Sequence, residues 1–184
     1  HLANICEFPV NVVSLTGGVN YYLPNTRSSI FNAKLYLTPA PLLMASEDIV
    51  KAMEQEPSVR QIRHMATLAQ MSIVGIGGVD SNATLLTNGT LNHSDVLLLS
   101  MLGAVGDMLC HFIDKDGNVI QSSLERRLMS TSLEQLKEMN NSIGVAGGNT
   151  KAEAILAALK GKYLDVLITD ETTASNVLRL KNQE

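Results

Sequence analysis

At 184 residues, with 45% hydrophobic and 17% charged side chains, the chain is long enough for one packed core and too apolar for disorder. The formal net charge is −4, and the densest basic spots are only Arg126-Arg127 and Arg60 with Arg63, which excludes a nucleic-acid-binding face. Cys6 and Cys110 stand far apart, the four histidines form no HExxH-like pair, and no apolar run reaches ~18 residues, so no disulfide framework, metal site, cofactor or membrane span is expected.

Taken in chain order, short apolar runs alternate with helical patterns, the signature of βα units on a mostly parallel sheet. His1–Cys6 lacks the features of a signal peptide, which makes the cytoplasm the expected setting. With no initiator Met, the start reads like the tail of a helix in a longer protein. The first strand is Val10–Leu15, ending in Thr16-Gly17-Gly18, and a helix is expected near Thr26–Asn32. Ala33–Thr38 is a second strand, stopped by Pro39-Ala40-Pro41 because proline cannot donate to a sheet ladder. Ser46-Glu47-Asp48 opens a helix. Pro57 opens another, with Val59, Ile62, Met65 and Leu68 at helical spacing. Met71–Val74 is a third strand and runs into Gly75-Ile76-Gly77-Gly78.

Asn92–Leu102 reads as a helix that leads into the turn Gly103-Ala104-Val105-Gly106-Asp107. His111–Ile113 and Asn118–Ile120 form a β-hairpin around Asp116-Gly117. Asp114, Asp116 and Gly117 resemble part of a calcium loop, but the required glutamate is missing, and the segment reads as a turn. Leu133–Met139 is a short helix and Ser142–Ala146 a strand ending in Gly147-Gly148. Thr150–Leu159 is a helix with a capping box from Thr150 to Glu153 and an exit at Gly161. Leu164–Thr169 is the last strand, and Asp170 caps a final helix through about Arg179. Met44, Met53, Met65, Met71 and Met101 are expected to fill core.

Repeated strand tips carry the chemistry. Ligands of open parallel sheets bind beyond the carboxyl ends of strands, where glycine lets the backbone come close. Gly17-Gly18, Gly75 with Gly77-Gly78, and Gly147-Gly148 all fall on that edge. After Gly147-Gly148, Lys151 stands at a helix start, a position that disfavours a lysine unless an anion is bound there. The competing reading is a solvated lysine after an ordinary turn. Asp107 suits either hydrogen bonding to sugar hydroxyls or a turn cap. No nucleophile elbow or acid–base set is legible, although Lys151 with Asp107 would provide proton transfer if the lysine pKa were shifted.

Several stretches together resemble the effector-binding domain of the SorC family of bacterial sugar-operon regulators. They are Leu15-Thr16-Gly17-Gly18, Pro39-Ala40-Pro41-Leu42, Val74-Gly75-Ile76-Gly77, Gly103–Leu109, Val145–Gly148 with Lys151–Ile155, and Val166–Asp170. The resemblance covers nearly the whole chain. It implies an α/β, Rossmann-like, mostly parallel sheet flanked by helices, similar to the sugar-phosphate isomerase and deaminase group, with a small β-hairpin insertion. It implies that residues 1–184 are one domain for a phosphorylated sugar, assembled as a homodimer or homotetramer. A helix-turn-helix DNA-binding domain and a first strand with its glycine loop would lie upstream, and DNA would be met only through that domain. By the same resemblance Lys151 contacts the phosphate and Asp107 the sugar hydroxyls. Gly17, Gly18, Gly75 and Gly77 line the pocket with Pro39 and Ile76 beside them. The alternatives are a sugar-phosphate isomerase or deaminase on the same fold, and a purely oligomerising domain with a vestigial pocket.

Overall fold

Glycine- and proline-punctuated apolar runs become strands, and the amphipathic segments between them become helices, in a computed structural model that describes residues 9–18, 33–79 and 89–183. The strands are β1 Val10–Val13, β2 Ala33–Tyr36, β3 Ser72–Gly78, β4 Ala104–Met108, β5 His111–Asp114, β6 Ser142–Val145 and β7 Val166–Ile168. The helices are α1 Glu47–Gln55, α2 Pro57–Thr67, α3 His93–Met101, α4 Leu133–Lys137, α5 Ala152–Lys160 and α6 Glu171–Lys181. The expected helix near Thr26–Asn32 and the start of the chain lie outside the described residues.

Strands β1 and β2 form a parallel pair, and the others form a sheet in the order β5-β4-β3-β6-β7. In it β3, β6 and β7 run parallel, while β4 and β5 run antiparallel to their neighbours. Strand β3 divides its pairing: Ser72–Gly75 align with β6, and Ile76–Gly78 with β4. The predicted Met71–Val74 strand is therefore longer than its apolar run and carries the glycines inside it. Gly103–Asp107, expected as a turn, supplies most of β4, because the pairing with β3 extends the backbone through Gly106.

Helix α5 covers one face of this sheet. Six of its nine residues are buried, among them Ala152, Ala154, Ile155 and Ala158. Full burial of a side chain such as Ile155 contributes roughly 1.5–3 kcal/mol. The alanines let the helix lie against the strands: a Cβ on Gly106 would stand 2.3 Å from the Ala154 Cβ. Val74, Ile76 and Met108 fill the same core from the sheet side. On the other face Ile73, Val145, Val166 and Ile168 are exposed.

The predicted capping residues Ser46 and Asp170 accept from the backbone N–H of Ile49 and Thr173. The box at Thr150 does not form. Residues Asn149–Lys151 make a 3-10 turn first, and α5 starts at Ala152 without a side-chain cap. Asn92 with Asp95, and Ser132 with Gln135, form the capping boxes instead. Met44 is buried as expected, but Met71 and Met101 are 51% and 78% exposed, because Met71 lies just ahead of β3 and Met101 ends α3.

A strap from Leu128 to Thr131 joins the two sheets. Leu128 bridges Leu43, and Ser130 bridges Thr16. Met129 donates to the Leu42 carbonyl and accepts from the Gly17 N–H, and Thr131 donates to Leu15. The side chains of this region follow the strap: Arg63 donates to the Ser130 carbonyl, and His111 meets that of Thr131 at 3.0 Å.

Candidate functional site

Side chains alternate across β3, so Gly75 and Gly77 face away from α5 while Val74 and Ile76 face it. Ile76, expected beside the pocket, is 1% exposed with its side chain in the core, so it faces the strand tips through its backbone. Asp107 is the register partner of Gly77 and presents its carboxylate on the same face. A Cβ on Gly77 would lie 2.0 Å from Asp107 Oδ1, so glycine there makes room for the carboxylate. Gly75 has open space at its Cβ position.

The environment of Asp107 is the sharpest electrostatic feature. Burial raises its carboxyl pKa to about 6 from 3.8, against the lowering effects of the Cys110 N–H, Lys151 and His111. Lys151 ends the 3-10 turn ahead of α5 and is half-buried. Its ammonium is near enough to stabilise the Asp107 anion. The predicted pair is thus brought together, one residue from the sheet and one from the head of α5.

The other glycines behave differently from one another. Gly17 and Gly18 donate their N–H groups to Met129 and Ala40 carbonyls at 2.7 and 2.9 Å, so neither offers a donor to a ligand. A Cβ on Gly17 would stand 2.5 Å from the Pro41 carbonyl oxygen; glycine is needed there for close packing against the Pro39–Pro41 bend. Pro39 itself is exposed. The Gly148 N–H donates to Thr173 Oγ1 at 2.8 Å and to Asp170 Oδ2 at 3.1 Å. That clamp was not legible in the sequence, where Asp170 is only a cap; its signal is the Thr173 hydroxyl three residues on.

The sequence reads Thr169, with Asp170, as a capping residue at the helix start, and in the structure the cap falls to Asp170. At the tip of β7, the Thr169 hydroxyl is buried with no hydrogen-bond partner. An orphaned hydroxyl costs about 1–3 kcal/mol. Thr169→Val is expected to raise the melting temperature of the unliganded protein, by about 1 kcal/mol of stability, in a thermal unfolding experiment; an unchanged or lower value rules out the orphan.

An open cleft of about 510 Å³ lies at the far end of α5, lined by Lys160, Gly161, Lys137, Glu134, Asp116 and Glu125 among others. None of the expected effector residues lines it, and its lysines and carboxylates balance. Among the described residues no cluster of histidine, cysteine or carboxylate side chains fits a metal ion, and no helix is long and apolar enough to cross a membrane.

Residues 4–179 match the family described as "Putative sugar-binding domain". The chain belongs to this family, the sugar-binding domains of SorC-type transcriptional regulators. Transcriptional regulator LsrR of Klebsiella pneumoniae is 37% identical over 174 residues, 93% of this chain and 54% of the relative. LsrR of an Enterobacter species is 36% identical over 98% of this chain and 57% of its own. The chain spans about half the length of these curated relatives. The full-length sorbitol operon regulator SorC from Klebsiella pneumoniae superposes with a TM-score of 0.80 at 23% identity, covering 94% of this chain and 60% of that one. A DeoR family regulator from Listeria monocytogenes gives 0.82 at 22% identity, over 92% and 71%. These two likenesses bear out the α/β fold expected of a SorC-type sugar-binding domain, with its parallel core strands and flanking helices.

Proposed function

We propose that this sugar-binding domain senses a phosphorylated sugar seated at the strand tips, with Asp107 accepting from its hydroxyls and Lys151 meeting its phosphate. The observation that carries this reading is the desolvated Asp107 carboxylate against Gly77 with the Lys151 charge beside it. A carboxylate held at that cost suits a site whose ligand supplies the missing donors. Gly75 leaves space on the same face for the ring. The phosphate would draw on the ammonium and on the backbone N–H groups heading α5, since the Gly148 N–H is already engaged. Gly17, Gly18 and Pro39 would shape the wall without donating, and Ile76 would take part through its backbone alone.

In the intact protein such binding acts on transcription only if the effector has different affinity for two arrangements of the regulator. We place the DNA contacts in an upstream domain, the working state in a homodimer or homotetramer, and the setting in the cytoplasm. The relatives are named as regulators, which favours a sensor over an isomerase or deaminase.

A panel of hexose and pentose phosphates, their unphosphorylated parents and inorganic phosphate tests this by thermal shift. One phosphorylated sugar is expected to raise stability by about 2.7 kcal/mol at a hundredfold excess over its Kd, with no shift from its parent. Equal shifts from both defeat the phosphate assignment. The same mixtures followed by NMR are expected to show no product; turnover moves the domain to the enzyme class.

A further inference from the structure

We propose that Ser130, on the strap between the sheets, is a positioning residue for Asp107, acting through the strained turn that joins β4 to β5. The proposal rests on Asp107 being an effector contact only for its functional consequence; the geometry stands without it. Met108 and His111 are register partners, so the connection is the two residues Leu109 and Cys110. Their φ angles are +52° and +70°. Positive φ at both central positions is the signature of a type I′ hairpin turn, which Asn-Gly ordinarily makes. Here both positions carry side chains that resist it.

Something must hold the turn, and the strap does so. Ser130 is buried, and its hydroxyl donates to the Leu109 carbonyl at 2.8 Å. Next along the chain, the Thr131 carbonyl meets His111 Nε2 at 3.0 Å, and Glu125 meets His111 Nδ1 at 2.7 Å. The first residue of β5 is thereby fixed as well. The pinned turn closes the β4–β5 pairing of Asp107 with Phe112 and Met108 with His111, and so sets the backbone on which the Asp107 carboxylate stands, with the Cys110 N–H among the groups that lower its pKa. Through its bridge to Thr16, the strap also holds the Gly17-Gly18 tip. One short segment therefore sets two tips of the proposed site relative to each other.

The test is the titration of the Asp107 carboxyl carbon by ¹³C NMR, assigned with Asp107→Asn, in the wild-type protein and in Ser130→Ala and Ser130→Thr. Losing the pin slackens the Cys110 N–H contact, which favours the charged form. Ser130→Ala is expected to move the Asp107 midpoint upward by about half a pH unit or more, and Ser130→Thr, which keeps the hydroxyl, to restore it. A folded Ser130→Ala protein with an unmoved midpoint overturns the proposal. If Ser130→Ala does not fold, Ser130→Cys, a weaker donor of similar size, is titrated under the same criterion. Calorimetry with fructose 6-phosphate, or whichever sugar phosphate gave the thermal shift, separates the two readings. A moved midpoint with no sugar phosphate bound by the wild type removes the effector assignment and leaves Ser130 as a positioning residue.

Discussion

Asp107→Asn is expected to make the unliganded protein more stable at pH 7.5 while it weakens effector binding. The carboxyl titrates at about 6 in the folded state and near 3.8 when unfolded. Below both values it is neutral in either state. As pH rises through 3.8 the unfolded chain releases its proton first, so this group's stabilisation is lost until the folded carboxyl also ionises near 6. Above that, the desolvated charge of the half-buried carboxylate costs about 3 kcal/mol, which the uncharged amide avoids. The gain corresponds to a Tm increase of roughly 6–12 °C for a chain of this length, with a flatter profile between pH 4 and pH 7. Effector affinity should fall by about tenfold to a hundredfold, because hydrogen bonds to a charged acceptor contribute about 1.5–3 kcal/mol. Thermal melts across pH and calorimetry check both. A variant with the wild-type pH profile denies that the carboxylate is desolvated, and full binding removes it from the site. The second ionisation of a sugar phosphate also falls near pH 6. Any change in the pH dependence of binding that Asp107 contributes is therefore read as the difference between wild type and Asp107→Asn.

Lys151→Ala is expected to discriminate between ligands. The phosphorylated sugar should bind about tenfold to a hundredfold more weakly, the effect of losing a charge-assisted contact of roughly 1.5–3 kcal/mol. An unphosphorylated sugar should bind as it does to the wild type. Folding should change little, since Lys151 heads the helix as a cation where the dipole disfavours one. Removing it also takes a positive charge away from Asp107 and should lift that carboxyl further. Equal loss for both ligands would mean that Lys151 acts on the sugar through Asp107 and not on the phosphate.

The helices announced themselves because their signals are local. Ser46 and Asp170 precede amphipathic runs, and both form the caps their side chains suit. The parallel strands β6 and β7 were legible as short apolar runs between glycine and polar punctuation. The Leu109-Cys110 turn was not, because neither residue has the freedom that marks such a turn, and the compensating contact comes from Ser130, 21 residues away. The orientation of Ile76 was legible too: period-two alternation over Ile73, Gly75 and Gly77 puts its side chain on the face opposite the glycines. Asp107 and Lys151 were singled out from residue type and resemblance, and the fold sets their charges near each other. Which glycine N–H groups remain available depends on partners at Met129, Ala40, Asp170 and Thr173, and long-range pairing of that kind leaves no mark in the local pattern.

The clamp on Gly148 has a consequence for how fast and how tightly the site works. Asp170 and Thr173 hold the loop before Lys151 from the first turn of α6, so its shape exists before any ligand arrives. A sugar docking there would not have to immobilise a wandering backbone, and the ordering entropy that weakens many small-molecule complexes is removed in advance. Loosening the clamp with Thr173→Val would therefore show itself as an entropic penalty on association, at a residue that lies outside the set expected to contact the sugar.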